Sequence, residues 1–187
     1  LAIFSAHTNL DIVRDGVNDV LAQRLGLQNP TVLKPVQVGE RAKEEIAALS
    51  GGEAEFGMGR IGSLARAGSL NSLVSMVKKR LKLDFVKVAG DLEMKVTRVA
   101  ICSGSGSGLM EAFLSSKAQA YISGDIHYHD ALEANSLNRA IIDIGHFPSE
   151  HLVVDALARQ LENVISRAGI EAEIIACTIE KDPFRFI

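Results

Sequence analysis

The sequence predicts an α/β fold with a mixed, largely parallel sheet. Two observations carry that prediction. From residue 96 onward, short apolar runs of strand length alternate with amphipathic segments of helix length, the order that produces crossover connections and a sheet covered on both faces. In addition, all five histidines fall in three short polar segments, and each segment directly follows a short apolar run. That places them at carboxyl ends of predicted strands, the edge where open α/β sheets form ligand sites.

The elements follow in order. The apolar run Leu1-Ala2-Ile3-Phe4 leads into a polar cluster without a Met or a preceding turn and reads as a strand entered halfway. Residues 15–25 put Val17, Val20, Leu21 and Leu25 on one helical stripe, and Gly26 stands where a left-handed terminator is expected. Residues 31–38 are β-rich but contain Pro35, which marks a short or edge strand. Residues 39–62 hold six glycines around a small helical patch at 42–49, the pattern of a loop or insertion point. Ser69 is placed to cap a helix running to Leu81. Residues 85–89 and 96–102 read as strands joined by a Gly90-Asp91 turn into a hairpin. Then come a glycine-rich loop (103–108), a helix (109–116), a strand (120–123), a helix (about 130–137), a strand (140–144), a long helix (150–168) and a strand (172–178).

Composition excludes several classes. With 187 residues and 47% hydrophobic content the chain can bury an ordinary core. Aromatic residues make up only 5%, Trp is absent and the formal charge is -3, so a nucleic-acid surface has little to build with. Lys78, Lys79, Arg80 and Lys82 read as the solvated face of a helix. Cys102 and Cys177 lie far apart without metal or disulfide spacing, which points to a reducing, cytoplasmic location. No apolar run reaches the roughly 18–20 residues needed to span a membrane.

Asp11, His146 and Glu150 form a candidate metal-ligating set: a carboxylate from the first segment, with an imidazole and a second carboxylate from the third. Mixed nitrogen and oxygen donors suit Zn, Mn, Fe or Ni. Taken singly, Glu150 also reads as a helix N-terminal carboxylate and Asp11 as a cap. Asp125, His127 and His129 alternate, so an extended backbone points all three to one side. They orient ligands or shuttle protons, or they form a hydrogen-bonded loop. The run from Ser103 to Gly108 offers backbone N–H groups to an anion, or makes a tight turn that lets helix and sheet approach. Residues 104–108 centre on Gly106 rather than a serine, which does not fit a nucleophile elbow.

Several segments in fixed order resemble the family of GTP cyclohydrolase I type 2 homologues, also called NGG-one-interacting-factor-three-like proteins. They are His7-Thr8-Asn9-Leu10-Asp11, Gly16-Val17-Asn18-Asp19, Gly59-Arg60-Ile61-Gly62, Cys102-Ser103-Gly104-Ser105-Gly106, Ser123 to His129, Gly145 to Glu150 and Asp182-Pro183-Phe184. The resemblance spans nearly the whole chain. It implies a three-layer α/β/α fold, a homo-hexamer and two divalent metal ions per subunit. Asp11, His146 and Glu150 would be ligands, with His7 and the loop from Asp125 to His129 lining the same cavity. Family members supply further ligands from an upstream His-His pair that this sequence lacks, so the chain reads as an α/β domain lacking its N-terminal part. Residues 39–58 stand where longer relatives carry an inserted domain.

The resemblance implies a metal-dependent hydrolase of a nucleotide-like substrate. In that reading the metals activate water to attack the guanine imidazole ring, and Asp125, His127 and His129 are catalytic, with His127 or His129 transferring protons. The alternative is a non-catalytic metal-binding scaffold or regulator that binds a protein partner.

Overall fold

Along the central strands, successive side chains go to opposite faces, and both faces are buried. In strand β4 (Lys95–Ser105), Val99 and Ile101 belong to one core while Ala100 and Cys102 belong to another. Ala120 and Ile122 alternate in the same way with Tyr121 in β5 (Ala120–Gly124), as do Ala140 and Ile142 with Ile141 in β6 (Ala140–Asp143). A period of two with apolar residues on both faces requires a helical layer on each side.

The computed structural model describes residues 1–37, 39 and 55–185 and supplies those layers. Helices α2 (Val17–Leu25) and α3 (Leu70–Leu81) cover one face through Leu21, Leu25, Leu70, Leu73 and Val77. Helices α4 (Met110–Ser115) and α5 (Tyr128–Ser136) cover the other through Met110, Phe113 and Ala134. The fold is α/β in three layers. With β1 (Gln28–Pro35), β2 (Gly57–Ser69) and β3 (Lys87–Ala89), the six strands among the described residues are ordered β1-β2-β4-β5-β6-β3. Parallel pairing is confined to β4–β5 and β5–β6, while β1–β2, β2–β4 and β3–β6 are antiparallel. The sheet is therefore mixed, less parallel than the sequence predicts. The remaining helices among the described residues are α1 (Thr8–Ile12), α6 (His146–Glu150) and α7 (Val153–Arg167).

Other expectations need correction. The 85–89 and 96–102 strands do not form a hairpin: β3 pairs with β6 at the sheet edge, and β4 is already flanked by β2 and β5. A turn signal specifies a change of direction, not a partner. The 39–62 stretch is not all loop, since β2 starts at Gly57. At Gly59 the backbone has φ +66 and a Cβ would stand 2.7 Å from the Ile101 carbonyl oxygen, so this glycine serves close strand approach rather than a loop. The helical patch at 42–49 lies outside the described residues, as does most of the proposed 39–58 insertion point.

The long helix expected over 150–168 is divided into α6 and α7, and Glu150 ends the first instead of opening the second. Residues 172–178 form no strand, with Ile175 79% exposed, because strand propensity is realised only against a partner edge. Residues 1–4 likewise form no strand, so only two of the three histidine segments follow one. Among the described residues, no helix is long and apolar enough to cross a membrane.

Candidate functional site

Helix α1 is five residues long, too short to stand by itself, and is preceded by His7, whose carbonyl accepts from the Leu10 and Asp11 amides at 2.8 and 3.3 Å. Its C-terminal side is fixed by Arg60 of β2. The guanidinium is buried, and all five of its N–H donors are used. Nε and Nη2 meet the two carboxylate oxygens of Asp19, Nη1 reaches the Gly57 and Gly59 carbonyls at 2.8 Å each, and Nη2 reaches the Val13 carbonyl at 3.2 Å. One side chain thus joins β2, α2 and the turn after α1.

On the other side of the site, β6 ends at Asp143, which is 5% exposed. Its carboxylate accepts from the Gly145 amide at 3.0 Å and from Lys87 Nζ at 2.9 Å, setting the turn into α6. His146 opens α6, and Glu150 lies one turn on, so the two side chains share a face. His146 Nε2 is 3.4 Å from Glu150 Oε2, and His146 Nδ1 is 2.7 Å from Asp125 Oδ2. Gly104, at φ +63 in β4, provides the space: a Cβ there would lie 2.2 Å from Glu150 Oε1 and 3.4 Å from His146 Nε2.

Electrostatics connect Asp11 to this pair. Half-burial raises the Asp11 carboxyl above its usual range and the charge of Glu150 raises it further; His7, the Ser103 hydroxyl and His146 offset part of this. The Ser103 side-chain oxygen is itself buried and falls short of hydrogen-bond geometry to any described group. His146 is shifted upward, first by its hydrogen bond to Asp125, against the opposing effect of burial, with Glu150 adding to the rise.

The structure therefore brings His146, Glu150 and Asp125 into contact and leaves Asp11 within electrostatic range of His146 and Glu150. It does not bring in His127 and His129 by alternation. Asp125 is left-handed (φ +48), His127 precedes α5 and His129 lies within its first turn, so the segment is not extended. His127 Nδ1 is 3.5 Å from Asp130 Oδ2, and the His129 ring meets Tyr128 edge-on at 5.4 Å. Two amides of the glycine-rich run are also taken internally, Gly104 N–H by Ser149 Oγ and Gly106 N–H by the Gly124 carbonyl, which supports the close-approach reading of that run.

As a test of metal fit, two carboxylates, one imidazole nitrogen and an orphaned hydroxyl are the donor types a divalent first-row ion takes. Among the described residues no group of three His, Cys, Asp or Glu side chains is placed to hold a metal ion by itself. The donor types fit such an ion, with His146 and Glu150 as the facing pair and Asp11 within electrostatic range. Arg60, Asn18, Gly104 and Ser149 lie inside the quoted sequence segments, but nothing in their residue type or spacing discloses their contacts.

The chain is similar along nearly its whole length to proteins already described. A family model described as Duf34/NIF3 (NGG1p interacting factor 3) matches residues 1–183. A "GTP cyclohydrolase 1 type 2 homolog" of Clostridium acetobutylicum is 32% identical over 184 residues, covering 98% of this chain and 64% of the relative. One of Nostoc sp. is 34% identical over 167 residues, covering 88% and 57%. The chain thus spans less than two thirds of these relatives' length. Among solved structures, a Bacillus cereus protein related to NIF3 superposes with a TM-score of 0.87 at 25% identity, covering 99% of this chain and 73% of that one. Reduced HcgD from Methanocaldococcus jannaschii gives 0.63 at 26% identity, covering 86% and 56%.

Proposed function

The chain belongs to the Duf34/NIF3 family, and from that premise we propose that Asp11, His146 and Glu150 hold divalent metal in a hydrolase acting on a nucleotide-like substrate. The observation that carries this reading is His146, held at Nδ1 by Asp125 and facing Glu150 through Nε2, with Asp11 electrostatically coupled to both donors. A carboxylate on one ring nitrogen is how proteins orient a metal-binding histidine. The descriptions of the curated relatives support the cyclohydrolase type.

Metal bound there would supply Lewis-acid activation of water near neutral pH. The chain's own residues do the rest. Asp125 fixes the tautomer of His146 and Gly104 leaves room for Glu150, while His127 and His129, exposed at the start of α5, are the proton carriers of this reading. Two ions drawn from Zn, Fe, Mn or Ni, a homo-hexamer and cytoplasmic residence belong to the same proposal; two free cysteines support the last.

A metal-binding scaffold for a protein partner is the second reading, favoured by exposed Ile175, Ile179 and Phe184. Turnover separates the two. Metal-loaded protein is assayed for hydrolytic opening of the guanine ring of GTP, and loss of that activity in both His127→Ala and His129→Ala is expected. Stoichiometric metal without turnover of GTP or other purine nucleotides would favour the scaffold.

A further inference from the structure

Two consecutive backbone amides of β4 are each taken by a side chain with no solvent exposure, and each of those side chains continues to a donor-bearing residue. The Ser103 N–H donates to Asn18 Oδ1 at 3.0 Å, and Asn18 Nδ2 donates to the Asp11 carbonyl at 3.1 Å. The Gly104 N–H donates to Ser149 Oγ at 2.8 Å, and the Ser149 hydroxyl donates to the His146 carbonyl at 2.6 Å. Asn18 and Ser149 are both 0% exposed. The amide orientation of Asn18 follows from its partners, because a flip would set its NH2 against an N–H and its oxygen against a carbonyl.

We propose that Asn18 and Ser149 are paired positioning residues that register the Asp11 helix and the His146–Glu150 helix on the Ser103–Gly104 step of β4, and so set the spacing between the two halves of the donor set. The proposal rests on the metal reading. Both donor helices are only five residues long, so neither is held in place by its own length. With both side chains fully buried and satisfied, their bonds are geometrically demanding, and the two clamps meet on adjacent residues of one strand. Asp11 is thus referenced to the same backbone step as His146, although the two are distant in sequence. The clamps touch only backbone atoms of Asp11 and His146, leaving both side chains available to an ion.

Cobalt(II) titration of the purified protein tests this, read by d–d absorption for geometry and by thermal melting of the metal-free protein for stability. Asn18→Ala and Ser149→Ala are each expected to weaken cobalt affinity about 10- to 100-fold and to change the band shape. Val77→Ala, on the buried face of α3, lowers the melting temperature without either change. In an Asp11→Ala background, Asn18→Ala is expected to cost no further affinity, because its helix no longer carries a donor, whereas Ser149→Ala still does. Should one clamp variant fail to fold, the other carries the test. Variants that melt early but bind cobalt with wild-type affinity and spectrum overturn the positioning role and leave the metal reading intact. Wild-type protein that takes up no cobalt overturns the metal reading, and this inference with it.

Discussion

Asp125 Oδ2 lies 2.7 Å from His146 Nδ1, which makes Nδ1 the protonated nitrogen of the neutral ring and leaves the Nε2 lone pair toward Glu150. Asp125 adopts a left-handed backbone conformation to do so. The orienting carboxylate comes from the end of β5 and the imidazole from the end of β6, so two neighbouring parallel strands combine on one ring.

That contact sets a pH dependence. The hydrogen bond to Asp125 raises the His146 pKa above its ordinary 6.5, so the folded state holds the proton more tightly than the unfolded chain. Its stabilising contribution is complete below pH 6.5 and fades as pH rises through the raised value. Metal binding runs the other way, since the ion needs the neutral ring, and affinity climbs through the same window. Asp125→Asn shifts the window to lower pH and weakens affinity about 10- to 100-fold. Calorimetric metal titrations between pH 5.5 and 8.5 check both.

Gly104→Ala places a methyl group where Glu150 Oε1 stands and forces an L-residue to φ +63. A loss of stability of about 1–2 kcal/mol is expected from the backbone alone. Displacement of Glu150 adds a loss of metal affinity of about 10- to 100-fold. Chemical denaturation and metal titration separate the two effects.

Asp11→Asn exchanges activity for stability. Burial and the Glu150 charge raise the Asp11 pKa, so ionisation penalises the folded state as pH rises through the raised value, and the penalty persists at neutral pH. Removing the charge is expected to raise the melting temperature of metal-free protein at pH 7 while abolishing tight metal binding. Differential scanning calorimetry with and without metal measures both.

Arg60→Ala removes five hydrogen bonds and strips Asp19 of its charged partner. Breaking a buried pair from one side costs about 3–5 kcal/mol. Arg60→Lys is expected to recover only a minor part, because an ammonium cannot satisfy a carboxylate and three carbonyls in the same fork. Urea unfolding midpoints provide the comparison.

Much of the fold is legible in local signals. Ser69 caps α3 by accepting from the Ser72 amide at 3.2 Å, Gly26 ends α2 in the left-handed region at φ 66, and β4, β5 and β6 lie where their apolar runs predict. Partner choice is not local. The residues of β3 and β4 resemble hairpin strands, yet their partners are chosen by a sheet assembled from distant segments. Strand β2 is obscured because its glycines carry loop statistics while serving close backbone approach. At the site, Asp11, His146 and Glu150 are readable from donor chemistry. The contacts that assemble them, Asn18 to Asp11 and Ser149 to His146, pass through backbone carbonyls that leave no trace in residue type. His127 and His129 were expected beside Asp125, but the onset of α5 turns that alternation into a helical step.

The central claim is that Asp11, His146 and Glu150 hold divalent metal. Elemental analysis of wild-type protein and the Asp11→Ala/His146→Ala/Glu150→Ala variant, purified side by side and dialysed against metal-free buffer, tests it most directly. A stoichiometric first-row divalent metal is expected in the wild type, with its loss in a variant that still melts cooperatively. Equal metal content in the two, or none in the wild type after reloading, would contradict it.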